Sequence, residues 1–422
     1  MKLKSAWGRL GMSFSLSEVT LGEISLGNKG SYGIAAAAVD FSRELHTYLR
    51  ITDINDDGTL NKNGLKSVDD VNSTKYFLKP NDIVFARTGG STGRAYFYDG
   101  RDGKLVYAGY LIKFSLDPDK VNPKFMKYYS MSGLYKGWVD SFNTGSTRGN
   151  INAQTYADMK ILLPNRKQQN LLVETLSCLD DKIELNNRIN KTLEEIAQAI
   201  FRSWFIDFEP FQDGEFEDSE LGKIPKGWDV KTIQDFTTDM KNGGTPSRKV
   251  EKYWNSNDVP WVKTGEISNT LIIDSEEYIS YEGLQNSSAK LLPNNSVLMA
   301  MYGATAGKIG FLCFEASTNQ ACCAMICANL NKAIYLYLYL LHNQSYIEGL
   351  AVGAAQQNLS KETISKLKIL LPPGEMIELS KMDALFILME KNLRENRLLA
   401  NIRDTLLPKL MSGEIRVPLK EA

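Results

Sequence analysis

The chain has 422 residues, 49 Lys and Arg against 50 Asp and Glu, and 43% hydrophobic residues. That balance supports two or three domains with cores of their own and excludes intrinsic disorder as the main state. Without a run of eighteen apolar residues, and with an opening MKLKSAWGRLGMSF that has neither a signal core nor a cleavage site, neither a membrane span nor secretion is expected, and a cytoplasmic protein is.

Five cysteines, Cys178, Cys313, Cys322, Cys323 and Cys327, form no paired framework, and His46 and His342 are the two histidines, so ordinary thiols and no metal site are expected. The charge is uneven. Residues 1–166 carry 22 basic and 16 acidic groups, a net of +6, and residues 167–225 carry 6 and 13, a net of −7. Residues 226–371 (13 and 13) and 372–422 (8 and 8) are neutral. The first block suits a polyanion; the neutral third block needs a local patch or a basic partner to do the same.

The chain repeats once. Tyr48–Asn55 (YLRITDIN) parallels Trp261–Ser268 (WVKTGEIS), and Leu78–Arg94 parallels Leu291–Lys308, both at offsets of 213–214. Ser146–Pro164 parallels Ala355–Pro372 at an offset of 208, each closing on KILLP. So small a drift means two copies of one domain, each ending in a strand-like run stopped by proline.

A long helix is predicted after each copy. In the first, Lys167 to about Phe205, apolar residues recur at four- and three-residue steps, with Leu172, Leu176, Leu179, Ile183 and Leu193 on the seam, followed by Ile200 and Trp204. Asn186 and Asn190 fall inside that seam, where they either set register or turn to solvent. The second runs from about Glu375 to Leu407, with Leu379, Met382, Phe386, Met389, Leu393, Leu399, Ile402 and Leu406 on one side and Pro408 as its stop. An amphipathic helix of roughly 38 residues is about 57 Å long and needs a partner. Equivalent positions in two copies let the helices meet antiparallel about a pseudo-two-fold axis. Between the copies, Asp207–Trp228 is acidic, with few aliphatic residues, and reads as a surface connector.

Four segments carry a resemblance over nearly the whole chain: KILLPNRKQQ entering the first helix, IFRSWFIDFEPF at Ile200–Phe211, SELGKIPKGWDV at Ser219–Val230, and LLPKLMSGEIRV at Leu406–Val417. With them the chain resembles a specificity subunit of a type I restriction-modification system. The resemblance implies an α/β (α+β) fold in which two target-recognition domains, 1–166 and 229–373, alternate with spacer helices at 167–206 and 374–411, with a connector at 207–228 and a tail at 412–422. It implies a non-catalytic subunit that reads a bipartite asymmetric sequence in double-stranded DNA, one half per domain, with the helices setting the gap. Two modification (methyltransferase) subunits and two restriction (translocase and nuclease) subunits are the implied partners. S-adenosylmethionine, ATP and Mg are then expected on those partners and no cofactor on this chain. One departure is visible: Gln169, five residues after Pro164, has Ile377 at the matching place after Pro372.

The residues themselves carry no clear catalytic chemistry. Gly303–Lys308 looks like a phosphate loop, but three residues rather than four separate its glycines and Ile309 follows the lysine. The single Pro-Pro, Pro372-Pro373, follows Leu371, so no Asn/Asp-Pro-Pro-aromatic methyltransferase site is present.

Candidate DNA contacts are side chains with paired hydrogen-bonding groups or positive charge on matching loops. The Gly-rich turns Gly89–Arg94 and Gly303–Lys308 each end in a cation, and either cradle a phosphate on backbone N–H groups, helped by Arg94 or Lys308, or are plain hairpins. The loops before the last strands offer Thr147, Arg148 and Asn150 in the first copy and Gln356, Gln357 and Asn358 in the second. Arg87 precedes the first turn, whereas Met301 and Tyr302 precede the second, and KNGGTPSRK adds Lys241 and Arg248. A different class of reading also fits the neutral second copy: a coiled-coil scaffold whose globular copies bind other proteins.

Overall fold

The computed structural model describes residues 16–142, 149–351, 358–374 and 376–417. The chain forms two compact units, Met1–Asp181 with Leu399–Ala422, and Lys182–Leu398.

In the first unit, one sheet runs in the order Ser31–Tyr32, Leu111–Ser115, Asp82–Ala86, Ala95–Tyr98, and a second in the order Ala38–Val39, Lys66–Val68, His46–Leu49, Leu105–Tyr107. Every residue of Asp82–Ala86 is buried, and Ile83–Ala86 form a continuous apolar run covered on both faces. Phe85 stacks on Tyr156 at 4.8 Å between ring centroids, and Tyr135 and Phe114 close around it. The helix Pro123–Met131 starts where the Asn122 side chain accepts from the Lys124 N–H and proline takes the first turn. Strand Leu16–Thr20 pairs antiparallel with Lys160–Pro164, and Pro164 hands the chain to the first long helix, Arg166–Phe205.

The second unit repeats this plan. Asp239–Asn242, Cys322–Ile326, Val297–Ala300, Ile309–Leu312 and Thr270–Ile272 form one sheet, Glu277–Ile279, Val259–Val262 and Ser317–Thr318 another, and Asp229–Thr232 pairs with Lys368–Leu371. The central registers correspond: Val84 faces Lys113 in the first copy and Leu298 faces Ala324 in the second.

Within each unit the two long helices run antiparallel. In the first unit Leu172, Val173 and Leu176 share a core with Leu407 and Leu410, and Arg403 meets Asp180. In the second, Asn186 Nδ2 donates to Glu395 Oε2 (2.8 Å) and Asn396 Oδ1 (2.9 Å), and Asn190 Nδ2 to the Met389 carbonyl (3.0 Å). Asn392 Nδ2 donates to Asn190 Oδ1 and Asn396 Nδ2 to Asn187 Oδ1, both at 2.8 Å. Asn186 is 0% exposed, so these amides form a polar layer inside the helix pair rather than turning to solvent.

Four expectations need correction. The second helix is not continuous from Glu375: Met376–Leu379 is a short turn of helix, Lys381 takes φ +52°, and the long helix is Met382–Ser412. Pro408 does not stop it. The exposed Pro408 ring costs one backbone bond, and burial of Leu407 and Leu410 on the opposite face outweighs that loss. The seam drifts as well: Ile402 is exposed and Arg403, Leu407 and Leu410 are buried, and in the first helix Ala197, Phe201 and Phe205 lie deeper than Leu193, Ile200 and Trp204. Leu179, Ile183 and Leu393 are half-buried, Met382, Phe386 and Met389 are buried, and the Leu379 side chain lies outside the described residues.

The fourth concerns the connector, which lies largely at the surface as expected but is an ordered hairpin and is not where the compact units divide. Phe216–Ser219 pairs with Gly222–Pro225, and Phe208 and Phe211 meet the buried Trp228 edge-on at 5.4 and 5.2 Å. Trp228 and Ile224 supply its buried surface, with Phe208 and Phe211 half-buried against Trp228. The compact units divide inside the helices, between 181 and 182 and between 398 and 399, rather than at this segment.

Candidate nucleic-acid interface

In each copy the central strand ends at a Gly-rich turn. Gly89 and Gly93 take φ of +78° and +86°, and Gly303 and Gly307 +70° and +84°. The same backbone bonds close both turns: Gly93 N–H to the Ala86 carbonyl and Arg94 N–H to that of Ser91, Gly307 N–H to Ala300 and Lys308 N–H to Thr305. A Cβ on Gly93 would stand 2.4 Å from Val139, and one on Gly307 2.8 Å from Glu348. The glycines are therefore required by backbone conformation and by a helix packed against the turn, and these N–H groups are already satisfied within it. Those four N–H groups are engaged inside the turns rather than offered to a phosphate.

The terminal cations are also engaged. Arg94 Nε bonds Asp56 Oδ1 (2.7 Å) and its Nη1 donates to the Ile54 carbonyl, while Lys308 Nζ pairs with Glu348 Oε1 at 3.1 Å. Arg248 lies over Trp254, 3.4 Å from the ring centroid, and its Nη1 is 2.6 Å from Glu277 Oε2. That pairing, followed by Lys263, holds the Glu277 carboxyl below the usual range although partial burial opposes it. Lys241 Nζ is 3.4 Å from Asp239.

Arg87 differs from all of these. Its N–H donates to the Tyr110 carbonyl (3.1 Å) and its own carbonyl accepts from the Ile151 N–H (3.0 Å), so its backbone is pinned between the strand end and the segment that carries Asn150. Thr92 Oγ1 donates to the Gly149 carbonyl on the same side. The guanidinium carbon lies 5.1 Å from the Tyr32 ring centroid. In the second copy Met301 N–H donates to Ala321 and the Met301 carbonyl accepts from Leu359 N–H, the same two bonds, and Tyr302 bridges to Asn358. Each copy thus brings the turn beside the loop ahead of its last strand. Asn150 and Asn358 are exposed there; Thr147, Arg148, Gln356 and Gln357 lie outside the described residues.

Three exposed aromatic residues, Tyr32, Tyr110 and Tyr302, stand at these sites and escape a search for amide and cationic side chains. The structure supplies the match for Tyr32. Gly33 and Gly243 are equivalent, since Gly33 N–H bonds Leu111 and Gly243 N–H bonds Cys322, which places Tyr32 in the first copy where Asn242 stands in the second.

The remaining chemistry is quiet. Burial pushes the thiols of Cys313, Cys323 and Cys327 up to about 12, far from reactive thiolates. Among the described residues no cluster of His, Cys, Asp and Glu is arranged to hold a metal, and no helix is long and apolar enough to cross a membrane. At the departure noted above, Gln169 is buried, donating to the Pro164 carbonyl (2.7 Å) and accepting from Asn122 N–H (2.8 Å), whereas Ile377 is buried as a purely apolar residue.

The family model described as a type I restriction modification DNA specificity domain matches residues 28–195 and 225–397, once per copy. The specificity subunit of the type I restriction enzyme HindI from Haemophilus influenzae is 27% identical, over 91% of this chain and 99% of that one. The MjaIX specificity subunit from Methanocaldococcus jannaschii is 28% identical over 71% and 70%. The fold is shared with the crystal structure of a type I restriction-modification S subunit from M. genitalium, with a TM-score of 0.55 and 16% identity over 95% and 97% of the two chains. The chain belongs to the type I restriction-modification DNA specificity family, and is a DNA-recognising, non-catalytic specificity subunit.

Proposed function

We propose that the protein reads a two-part, asymmetric DNA sequence, one half with each domain, while the paired helices set the gap between the halves. The observation that carries this reading is the pair of matched but chemically unlike sites: Arg87, Tyr32 and Asn150 in one copy stand where Met301, Asn242 and Asn358 stand in the other. One scaffold with two sets of side chains is what two unlike half-sites require. Half-site centres about one helical turn apart, roughly 34 Å, suit two modules on one face of a duplex.

The helices also present apolar side chains to solvent, Leu185, Ile196, Ile387, Leu388, Leu398 and Ile402 among them. Such faces suit docking by two modification subunits, with two restriction subunits completing a cytoplasmic assembly. S-adenosylmethionine, ATP and Mg then belong to those partners, and this chain contributes recognition alone.

Co-expression with a modification subunit, followed by mapping of methylated adenines, tests the reading. A split motif with two defined halves and a constant gap is expected. A stable complex that adds no methylation overturns the reading and favours a scaffold for proteins.

A further inference from the structure

We infer that Arg87 reads a guanine in the first half-site and that Tyr32 is the positioning residue that aims it, an inference that rests on the two-half-site reading above. The Nε of Arg87 is shielded from solvent and has no hydrogen-bond partner, and no hydrogen bond or ion pair holds the guanidinium among the described residues. Residues 1–15 and 143–148, which lie outside the described residues, contain no Asp or Glu. Arg94, Arg101 and Lys113 of the same domain each meet a carboxylate. A partly desolvated guanidinium without an acceptor is costly, and a bidentate acceptor recovers that cost.

Tyr32 makes the arrangement rigid. Its backbone pairs with Ile112, and its hydroxyl accepts from the Ala153 N–H at 3.1 Å, so both ends of the ring are tied. With the Arg87 backbone held by Tyr110 and Ile151, the fork is presented from a surface fixed on two sides. Preorganisation of this kind favours a contact whose geometry matters.

The comparison between copies decides between base and phosphate. The DNA backbone is chemically the same beside both half-sites, so a phosphate contact calls for a cation in both copies. The second copy instead has Met301, 1% exposed, at the Arg87 position and Asn242 at that of Tyr32. A cation present in one copy and replaced by a buried apolar residue in the other has the pattern of a base-specific contact, and guanine O6 and N7 are the acceptors that match an arginine fork.

The test uses the complex with a modification subunit, read by methylation mapping and by binding to duplexes altered one base pair at a time. Arg87→Ala is expected to relax one G·C position of one half-site, with discrimination falling about 10- to 100-fold there, and to leave the other half-site and the gap unchanged. Arg87→Lys keeps the charge and should restore affinity but not discrimination. Tyr32→Leu should relax the same position, and Tyr32→Phe should do so less. Equal weakening on all sequences, or an Arg87→Ala complex with unaltered preference, overturns the assignment. So does relaxation at several positions with Tyr32→Leu, which marks a purely structural role. A wild-type complex with no split motif fails at the earlier step and removes the function reading as well.

Discussion

Arg403 Nη1 of the second helix lies 3.0 Å from Asp180 Oδ1 of the first, and both side chains are nearly enclosed. Lys127 Nζ (2.6 Å) and the Tyr128 hydroxyl (2.9 Å) complete the shell around Asp180 Oδ2. The pair therefore ties both helices to the first domain's own helix Pro123–Met131. Burial opposes the carboxylate, but Lys127 and then Arg403 outweigh it, so the Asp180 carboxyl titrates below its usual value. Asp180→Asn leaves Arg403 and Lys127 without their acceptor and is expected to cost about 3 kcal/mol in chemical denaturation. The sign of the pH dependence follows from the lowered carboxyl. The contribution is complete above an unfolded-state value of about 4 and is lost as pH falls through the folded-state value. The gap between wild type and Asp180→Asn should therefore close on acidification below about pH 4; a gap constant from pH 7 to pH 3 would show that ionisation of Asp180 is immaterial.

The repeat also has a steric signature. A Cβ on Gly33 would stand 2.2 Å from the Tyr107 carbonyl oxygen, and one on Gly243 2.1 Å from that of Asn319. Both obstacles are backbone, which cannot turn aside. Gly33→Ala and Gly243→Ala should each destabilise their own domain by about 2 kcal/mol or more, seen as a lowered midpoint in thermal melts. Gly90→Ala is the control, because its Cβ would meet nothing within 4 Å. Similar melts for Gly33→Ala and Gly90→Ala would count against the close approach.

Much of the architecture was legible because repetition is a property of the sequence itself. The KILLP runs, the two Gly-rich turns and the helical periodicity each depend on residues near one another in the chain. What stayed hidden depends on distant partners. Pro408 is tolerated because Leu407 and Leu410 are buried in a core built largely by residues more than 230 positions earlier, such as Leu172. The acidic connector folds into a hairpin because Phe208 and Phe211 find Trp228. At the candidate interface, charge and amide content pointed to candidate loops, but not to the state of each cation. Arg94, Lys308 and Arg248 meet Asp56, Glu348 and Glu277, carboxylates 38, 40 and 29 residues away, and Arg87 meets none among the described residues. No local pattern reveals that difference.

Arg248 illustrates the consequence. With its guanidinium on Trp254 and against Glu277, it serves the fold of its own loop. Arg248→Ala should cost about 1 kcal/mol or less, since the group is half exposed, and should leave the base preferences of the second half-site unchanged. The Glu277 carboxyl should rise toward its ordinary value, readable by NMR titration, with Lys263 limiting the change. A relaxed base position in the second half-site would instead return Arg248 to the set of reading residues.

The polar layer of Asn186, Asn190, Asn392 and Asn396 fixes how the helices register, and so constrains how they can be shortened. Removing seven residues from each helix, outside that layer, nearly preserves the angular phase of the seam, whereas removing four turns it by roughly 40°. Seven residues correspond to about 10 Å of helix, or about three base pairs at roughly 3.4 Å each. The shortened protein, in complex with a modification subunit, should methylate a motif with the same two halves and a gap about three base pairs narrower. A four-residue deletion should lose stability first, because the apolar seam beyond the deletion would be turned by roughly 40° against the polar layer. An unchanged gap in the seven-residue variant would mean that the helices join the domains without measuring the distance between half-sites.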